Sequence, residues 1–325
     1  MIKNEIEDFD KRYLDRIKDI RFNPIFIMGV QRSGTSILYK ILNATGQFHI
    51  VTAYNLINYH RLVYDRIHDI EDQSKAELRE RFSNMSQDDR GIDRLKITPD
   101  FAEEYGFLLA QKTNVSKMNE ENVSIFNELC KKITFLSESE KPLLLKNPFD
   151  FANFLFIKKR YPEAKFVFIH RNPMNTLNSQ LKAMRTLLSK KSGYMAILSP
   201  WYNKIFEHRI KLKYYQFLYS SKTSIRVNSA INKLALSTNY FIENKSKLNE
   251  NHDYLNVRYE DLCNDPEVII KKIFTFLSIN PPEGFDYESY IKPRNIAQLE
   301  ELVKRRDIIE RKMARYLDFF NYKSK

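Results

Sequence analysis

Residues Pro24–Leu42 read PIFIMGVQRSGTSILYKIL. An apolar run, a tight polar turn and an amphipathic helix follow one another in this stretch. Ile25, Phe26, Ile27 and Met28 in a row predict a strand buried on both faces. Gly29 and Gly34 permit a tight turn, and Ser33, Gly34, Thr35 and Ser36 place backbone N–H groups at the start of a helix. Those unpaired N–H groups, with the positive end of the helix dipole, favour an anion. A Walker loop would read G-x-x-x-x-G-K-S/T. Here Thr35 follows Gly34 and the cation, Arg32, comes earlier. The turn is therefore a phosphate cradle without the lysine that a nucleotide triphosphatase needs.

A second unit of the same order lies at Lys165–Met184, KFVFIHRNPMNTLNSQLKAM. Phe166–Ile169 is another unbroken apolar run, hence another buried strand. Asn172 suits an N-cap and Pro173 the first helical position, so a helix is predicted to begin immediately after Arg171. That puts Arg171 at the carboxyl end of a strand and Ser179 about two turns into the helix.

Gly29–Ser36 resembles the 5′-phosphosulfate loop of sulfotransferases that use 3′-phosphoadenosine 5′-phosphosulfate (PAPS). It is most similar to the bacterial and tyrosylprotein-sulfotransferase-like branch, where an R-S-G-T core replaces a lysine-bearing loop. The resemblance implies that Arg32, Ser33, Gly34, Thr35 and Ser36 hold the 5′-phosphosulfate. It implies equally that Arg171 and Ser179 hold the 3′-phosphate, work to which the planar donor fork of arginine is suited. Leu143–Phe149, LLLKNPF, resembles the family's strand ending in K-x-P, which implies that Lys146, with Arg32, offsets charge at the transferred group. Val257–Leu262, VRYEDL, followed by Asp265-Pro266 and Ile269–Leu277, is similar to a segment near the family's C-terminus. The resemblance spans Pro24 to Leu277, but residues 53–140 and 187–254 match mainly by position.

An acceptor hydroxyl must lose its proton as it attacks sulfur, and a positioned carboxylate or histidine would take it. Tyrosylprotein sulfotransferases carry a glutamate shortly after the loop. The corresponding stretch here, His49–Asn55, holds no carboxylate, which argues against peptide tyrosine sulfation. Glu103 and Glu104, in PDFAEEYG, resemble a P-x-x-x-E-E segment of bacterial relatives, and Glu104 is the preferred base. His60 is its rival, because other sulfotransferases use histidine. The plainer reading is helix N-terminal charge for the glutamates and a surface imidazole for His60. Glu260 and Asp261 read as helix caps. The aromatics from Trp201 to Tyr219 read as helix core more readily than as an acceptor pocket.

The 325 residues suffice for one large α/β domain, here taken as 1–325 with an N-terminal helix in 1–22 and a helical insertion at 187–254. Alternating strands and helices predict a P-loop-type parallel sheet flanked by helices, with helical insertions forming the acceptor side. Ligand is then expected beyond the carboxyl ends of the strands, where Arg32, Lys146 and Arg171 fall. Segment 65–81 is highly charged and reads as exposed, and 101–111 reads as helical. The formal charge of +12 suits an anionic partner. Its cations are dispersed, so nucleic acid is not expected, while peripheral contact with a membrane is compatible with it. Two widely separated cysteines, Cys130 and Cys263, support neither a disulfide scaffold nor a zinc site. No Walker B aspartate is evident and no metal is implied. The charged N-terminus carries neither a signal-peptide core nor a membrane span, so a cytoplasmic enzyme is expected. The predicted activity is sulfuryl transfer from PAPS to a hydroxyl on a small molecule, sugar or lipid. A P-loop small-molecule kinase and a non-catalytic nucleotide- or polyanion-binding module are the alternatives.

Overall fold

The computed structural model describes residues 7–85, 96–137, 139–291 and 297–322. Five strands, β1 (Pro24–Met28), β2 (His49–Ile50), β3 (Leu143–Lys146), β4 (Lys165–His170) and β5 (Tyr254–Arg258), form one parallel sheet. Their order across it is β2-β3-β1-β4-β5. All five residues of β1 and all four of β3 are buried, as strands covered on both faces must be. Successive side chains point to opposite layers. Phe26, Met28, Leu145, Phe166 and Phe168 enter one core with Phe126, Leu177, Leu181 and Phe241. Ile25, Ile27, Leu144, Val167 and Ile169 enter the other with Leu38, Leu42, Ile270 and Phe274.

The register fixes where the chemistry falls. Ile27 pairs with Lys146, Met28 with Phe168, and His170 with Arg258. The chain leaves β1 toward β2 and β3 on one side, then crosses to β4 and β5 on the other. The carboxyl end of β1 is thus the switch point of the sheet, where an open α/β fold leaves a crevice. The helix after β1, α1 (Thr35–Ala44), and the Pro173–Ser189 helix after β4 both begin at that edge.

Four expectations from the sequence are revised. Residues 101–105 are not helical, and the helix begins only at Gly106. Ala102 bridges Thr52, the Ala53 amide donates to the Phe101 carbonyl at 2.9 Å, and the Glu103 amide donates to that of Val51 at 2.8 Å. Asp65 is fully buried rather than exposed, because Tyr54 Oη (2.8 Å) and Arg61 Nε (2.7 Å) both donate to its carboxylate. Phe9–Arg16 is a 3-10 helix, tied to the core through the buried pair Lys132–Asp10 at 2.9 Å. Finally, Trp201 is not core but about half exposed, at 49%. Segment 193–244 is helical, as Gly193–Leu198, Pro200–Glu207, Arg209–Tyr219 and Ile225–Asn244. Among the described residues no helix is long and apolar enough to cross a membrane.

His170, the last residue of β4, is 1% exposed and stacks on Phe320 at 3.9 Å. Its ring nitrogens lie 3.1 Å from Tyr316 Oη and 3.0 Å from Asn256 Oδ1. Burial outweighs the Asn256 hydrogen bond and lowers its pKa from 6.5 to about 3. The unfolded chain therefore binds a proton that the folded one refuses, and stability is lost as pH falls below 6.5 toward 3. One such proton is worth about 1.4 kcal/mol per pH unit. In urea titrations at pH 7, 6 and 5, His170→Gln should flatten the acid-side loss by about that slope. Parallel curves for the two proteins would contradict this role.

Candidate active site

The loop between β1 and α1 is held in an unusual shape. Arg32 has φ 69°, a left-handed conformation that costs a non-glycine residue on the order of 1 kcal/mol or more. Two bonds from the second unit hold it there. Arg171 Nη1 donates to the Arg32 carbonyl at 3.0 Å, and Arg32 Nε donates to Ser179 Oγ at 3.1 Å. Gln180 Nε2 adds a bond to the Gln31 carbonyl at 2.8 Å. The two strand–turn–helix units are thus one structure at their ligand ends.

Gly34 closes the loop as the cap of α1 with φ 107°. A Cβ there would lie 2.3 Å from Cδ2 of Tyr259, so the position is restricted by both backbone and neighbour. The same tyrosine ring supports Arg171, whose guanidinium stands 4.3 Å from its centroid. The cap residue Asn172 accepts from the Met174 amide at 2.9 Å and donates its own amide to Glu260 Oε1 at 3.0 Å. Glu260 Oε2 accepts from Tyr322 Oη at 2.9 Å. Glu260 accordingly braces the neighbouring turn after β4.

Lys146, at the end of β3, is 1% exposed. Its ammonium donates to Ser36 Oγ at 3.0 Å and pairs with Glu104 Oε1 at 3.0 Å. It also stands 5.5 Å from the Tyr39 ring centroid. Tyr39 Oη donates to the Leu144 carbonyl and accepts from the Val51 amide, linking α1 to β3 and to the segment after β2. Burial, with added repulsion from Glu103 and Glu104, pushes the Tyr39 phenol far up, so it stays protonated.

Behind Lys146 lies a buried hydrogen-bond cluster centred on Asp150. Its carboxylate accepts from Tyr105 Oη (2.7 Å), Asn147 Nδ2 (2.7 Å), Asn153 Nδ2 (2.8 Å) and the Met118 amide (3.0 Å). Burial raises its pKa and these four donors oppose the rise. Gly106 lies so close to Asn147 that a Cβ would fall 2.4 Å from Asn147 Oδ1. This contact lays the Glu103–Glu104 segment against the end of β3. Glu103 is fully buried; it accepts from Tyr194 Oη at 2.8 Å and from the Glu104 amide at 3.1 Å.

The structure therefore gathers Arg32, Ser36, Lys146, Glu104, Arg171 and Ser179 at one edge of the sheet. Ser33 and Thr35, both buried, lie in the same loop. His60 is placed elsewhere, its ring against Phe9 at 6.5 Å and its carbonyl accepting from the Asp10 amide at 3.1 Å. Burial and the adjacent Arg61 lower its pKa. Tyr259, Tyr194 and Asp150 were not singled out from sequence as parts of this arrangement. Only Tyr259 had a signal, through its place in YEDL.

Two buried atoms in this edge, Ser33 Oγ and Arg171 Nε, lack a hydrogen-bond partner among the described residues. Buried donors of this kind are costly unless satisfied. One lies in the turn after β1 and the other on the arginine after β4. Among the described residues, no three His, Cys, Asp or Glu side chains are grouped to hold a metal ion.

A search of curated protein sequences finds no relative of this chain. Its fold is similar to that of sulfotransferase STF9 from Mycobacterium avium, with a TM-score of 0.62, 12% identity, and coverage of 95% of this chain and 79% of the other. Sulfotransferase STF1 from Mycobacterium tuberculosis gives a TM-score of 0.54 at 14% identity, covering 94% and 80%. At such identities the likeness speaks for the fold. Family membership comes from the sequence itself, because the profile of a sulfotransferase family matches residues 24–283, from β1 past the VRYEDL segment. The cradle after β1, the braced arginine after β4 and the lysine closing β3 all fall within that match, and the chain belongs to the sulfotransferase family.

Proposed function

We propose that the enzyme takes its sulfuryl group from PAPS and delivers it to a hydroxyl on a small molecule, carbohydrate or lipid. The observation that carries this reading is the joining of two anion-binding turns. Arg171 touches the backbone of the 5′ cradle, and Arg32 touches Ser179 on the other helix. A nucleotide with phosphates at both ends suits such a pair, and one phosphorylated only at the 5′ end would leave the second turn unused. Ser33, Gly34, Thr35 and Ser36 hold the 5′-phosphosulfate at the start of α1, while Arg171 and Ser179 hold the 3′-phosphate.

Transfer is an in-line displacement at sulfur. The acceptor oxygen forms a bond to sulfur as the bond from sulfur to the bridging phosphate oxygen breaks, and the proton of the hydroxyl passes to the Glu104 carboxylate. Arg32 and Lys146 offset the charge that gathers on the departing phosphate oxygen, a role for donors fixed before the reaction begins. Lys146 is held for it by Ser36, by Glu104 and by the buried cluster around Asp150. Glu104 is preferred to His60 because its carboxylate already touches the lysine, whereas His60 packs on Phe9 and the Asp10 backbone.

Two outcomes test these roles. Arg171→Ala should weaken 3′-phosphoadenosine 5′-phosphate by ~10-fold to 100-fold in isothermal titration, the loss of one or two charge-assisted hydrogen bonds. Affinity for 5′-AMP should fall far less, and equal loss for both ligands would refute the 3′-phosphate role. Glu104→Gln keeps an oxygen for Lys146 but removes the base. It should cut transfer of radiolabelled sulfate from PAPS into cell-extract acceptors by ~100-fold or more. Bisphosphate affinity should be unchanged. Undiminished transfer would assign the proton to another group.

A further inference from the structure

The most lopsided stretch of the chain lies outside the site. From Lys190 to Leu236 there are nine Lys or Arg residues and a single acid, Glu207. The Arg209–Tyr219 helix runs through this region and buries only Leu218. Ile210, Tyr214 and Phe217 recur at helical spacing, which places them on one stripe. That stripe faces outward, with exposures of 85%, 58% and 55%. Trp201 stands nearby, edge-on to Tyr215 at 5.6 Å, and Ile225 and Leu236 are exposed at 60% and 74%. Lys204, Arg209, Lys211, Lys213 and Lys222 are exposed around them. Glu207 accepts from Asn203 at 2.7 Å on its own helix.

A helix on a protein surface ordinarily turns its apolar stripe inward. Here the inner side holds the buried Leu218, Tyr219 packed on the core, and two polar anchors. Gln216 Nε2 donates to the Leu188 carbonyl at 2.8 Å, and Arg185 Nε donates to that of Tyr219 at 2.6 Å. Both bonds anchor the helix to the far end of the Pro173–Ser189 helix, the one that carries Ser179. An outward stripe of aliphatic and aromatic side chains rimmed by cations is the arrangement that settles at the headgroup boundary of a bilayer. The lysine stems reach over apolar surface while their ammonium groups meet anionic headgroups.

Charge selects the occupant. A second copy of the chain would bring the same cations against these, with one acid to offset them. Nucleic acid would match the charge but leave the protruding Ile210 without an apolar partner. We propose that the face formed by Trp201, Ile210, Tyr214 and Phe217 with Lys204, Lys211 and Lys213 docks on an anionic lipid bilayer. This inference does not depend on the identity of the sulfuryl donor.

Trp201 is the only tryptophan, so its fluorescence reports this face alone. The full chain should sediment with vesicles of phosphatidylglycerol and phosphatidylcholine, and its emission should shift to the blue. Pure phosphatidylcholine vesicles should do neither, and raised salt should release the protein. Lys211→Glu with Lys213→Glu should weaken partitioning ~10-fold or more. Ile210→Ser with Phe217→Ser should abolish the blue shift. An unchanged thermal melt and bisphosphate affinity would show that both variants are folded. The proposal is overturned if anionic and neutral vesicles bind alike or not at all, or if the variants bind as the parent does. It is overturned equally if the chain dimerises through Phe217, or if polyuridylate binds this face more tightly than the vesicles.

Discussion

Arg171 Nη1 donates to the Arg32 carbonyl at 3.0 Å, and this bond joins two turns into one structure. Each turn alone is a common device, a strand that ends where a helix begins and leaves N–H groups for an anion. What binds them is an arginine from the second turn reaching the backbone of the first, answered by Arg32 reaching Ser179. The left-handed backbone of Arg32 persists between these bonds, and Gly34 completes the loop beneath the Tyr259 ring that also carries the Arg171 guanidinium.

The same logic of braced polar groups continues on the far side of β1. Lys146 is drawn from a strand that is otherwise wholly apolar, and a buried cation needs fixed partners. Ser36 and Glu104 supply them directly, while Asp150 fixes Asn147 and Tyr105 behind it. Groups held this firmly need little rearrangement, the condition that the charge-offsetting role proposed for Lys146 requires. Glu103 and Tyr194 extend the bracing to Glu104 through a bond between residues far apart in the chain.

Strands β1, β3 and β4 were legible because a strand covered on both faces carries an unbroken apolar run, and each of them does. The two turns were legible through Gly34 and through Asn172-Pro173, which punctuate the backbone for physical reasons. The non-helical course of residues 101–104 was not, because it comes from pairing with residues 51–53, half a hundred positions earlier. Tyr259 under Gly34 and Tyr194 on Glu103 are likewise contacts between remote segments. The aromatics of segment 201–219 misled for a different reason. Helical spacing tells which residues share a face, but not whether that face meets core or solvent, and Tyr202 is buried while Trp201 beside it is half exposed.

Joined in this way, the two turns suit a nucleotide bearing phosphates at both ends, as proposed above. Isothermal titration of the unmodified protein with 3′-phosphoadenosine 5′-phosphate, 5′-AMP and adenosine 3′-monophosphate tests this proposal most directly. The bisphosphate should bind ~100-fold tighter than either monophosphate, each turn adding charge-assisted hydrogen bonds of its own. Bisphosphate affinity no greater than that of 5′-AMP would contradict it.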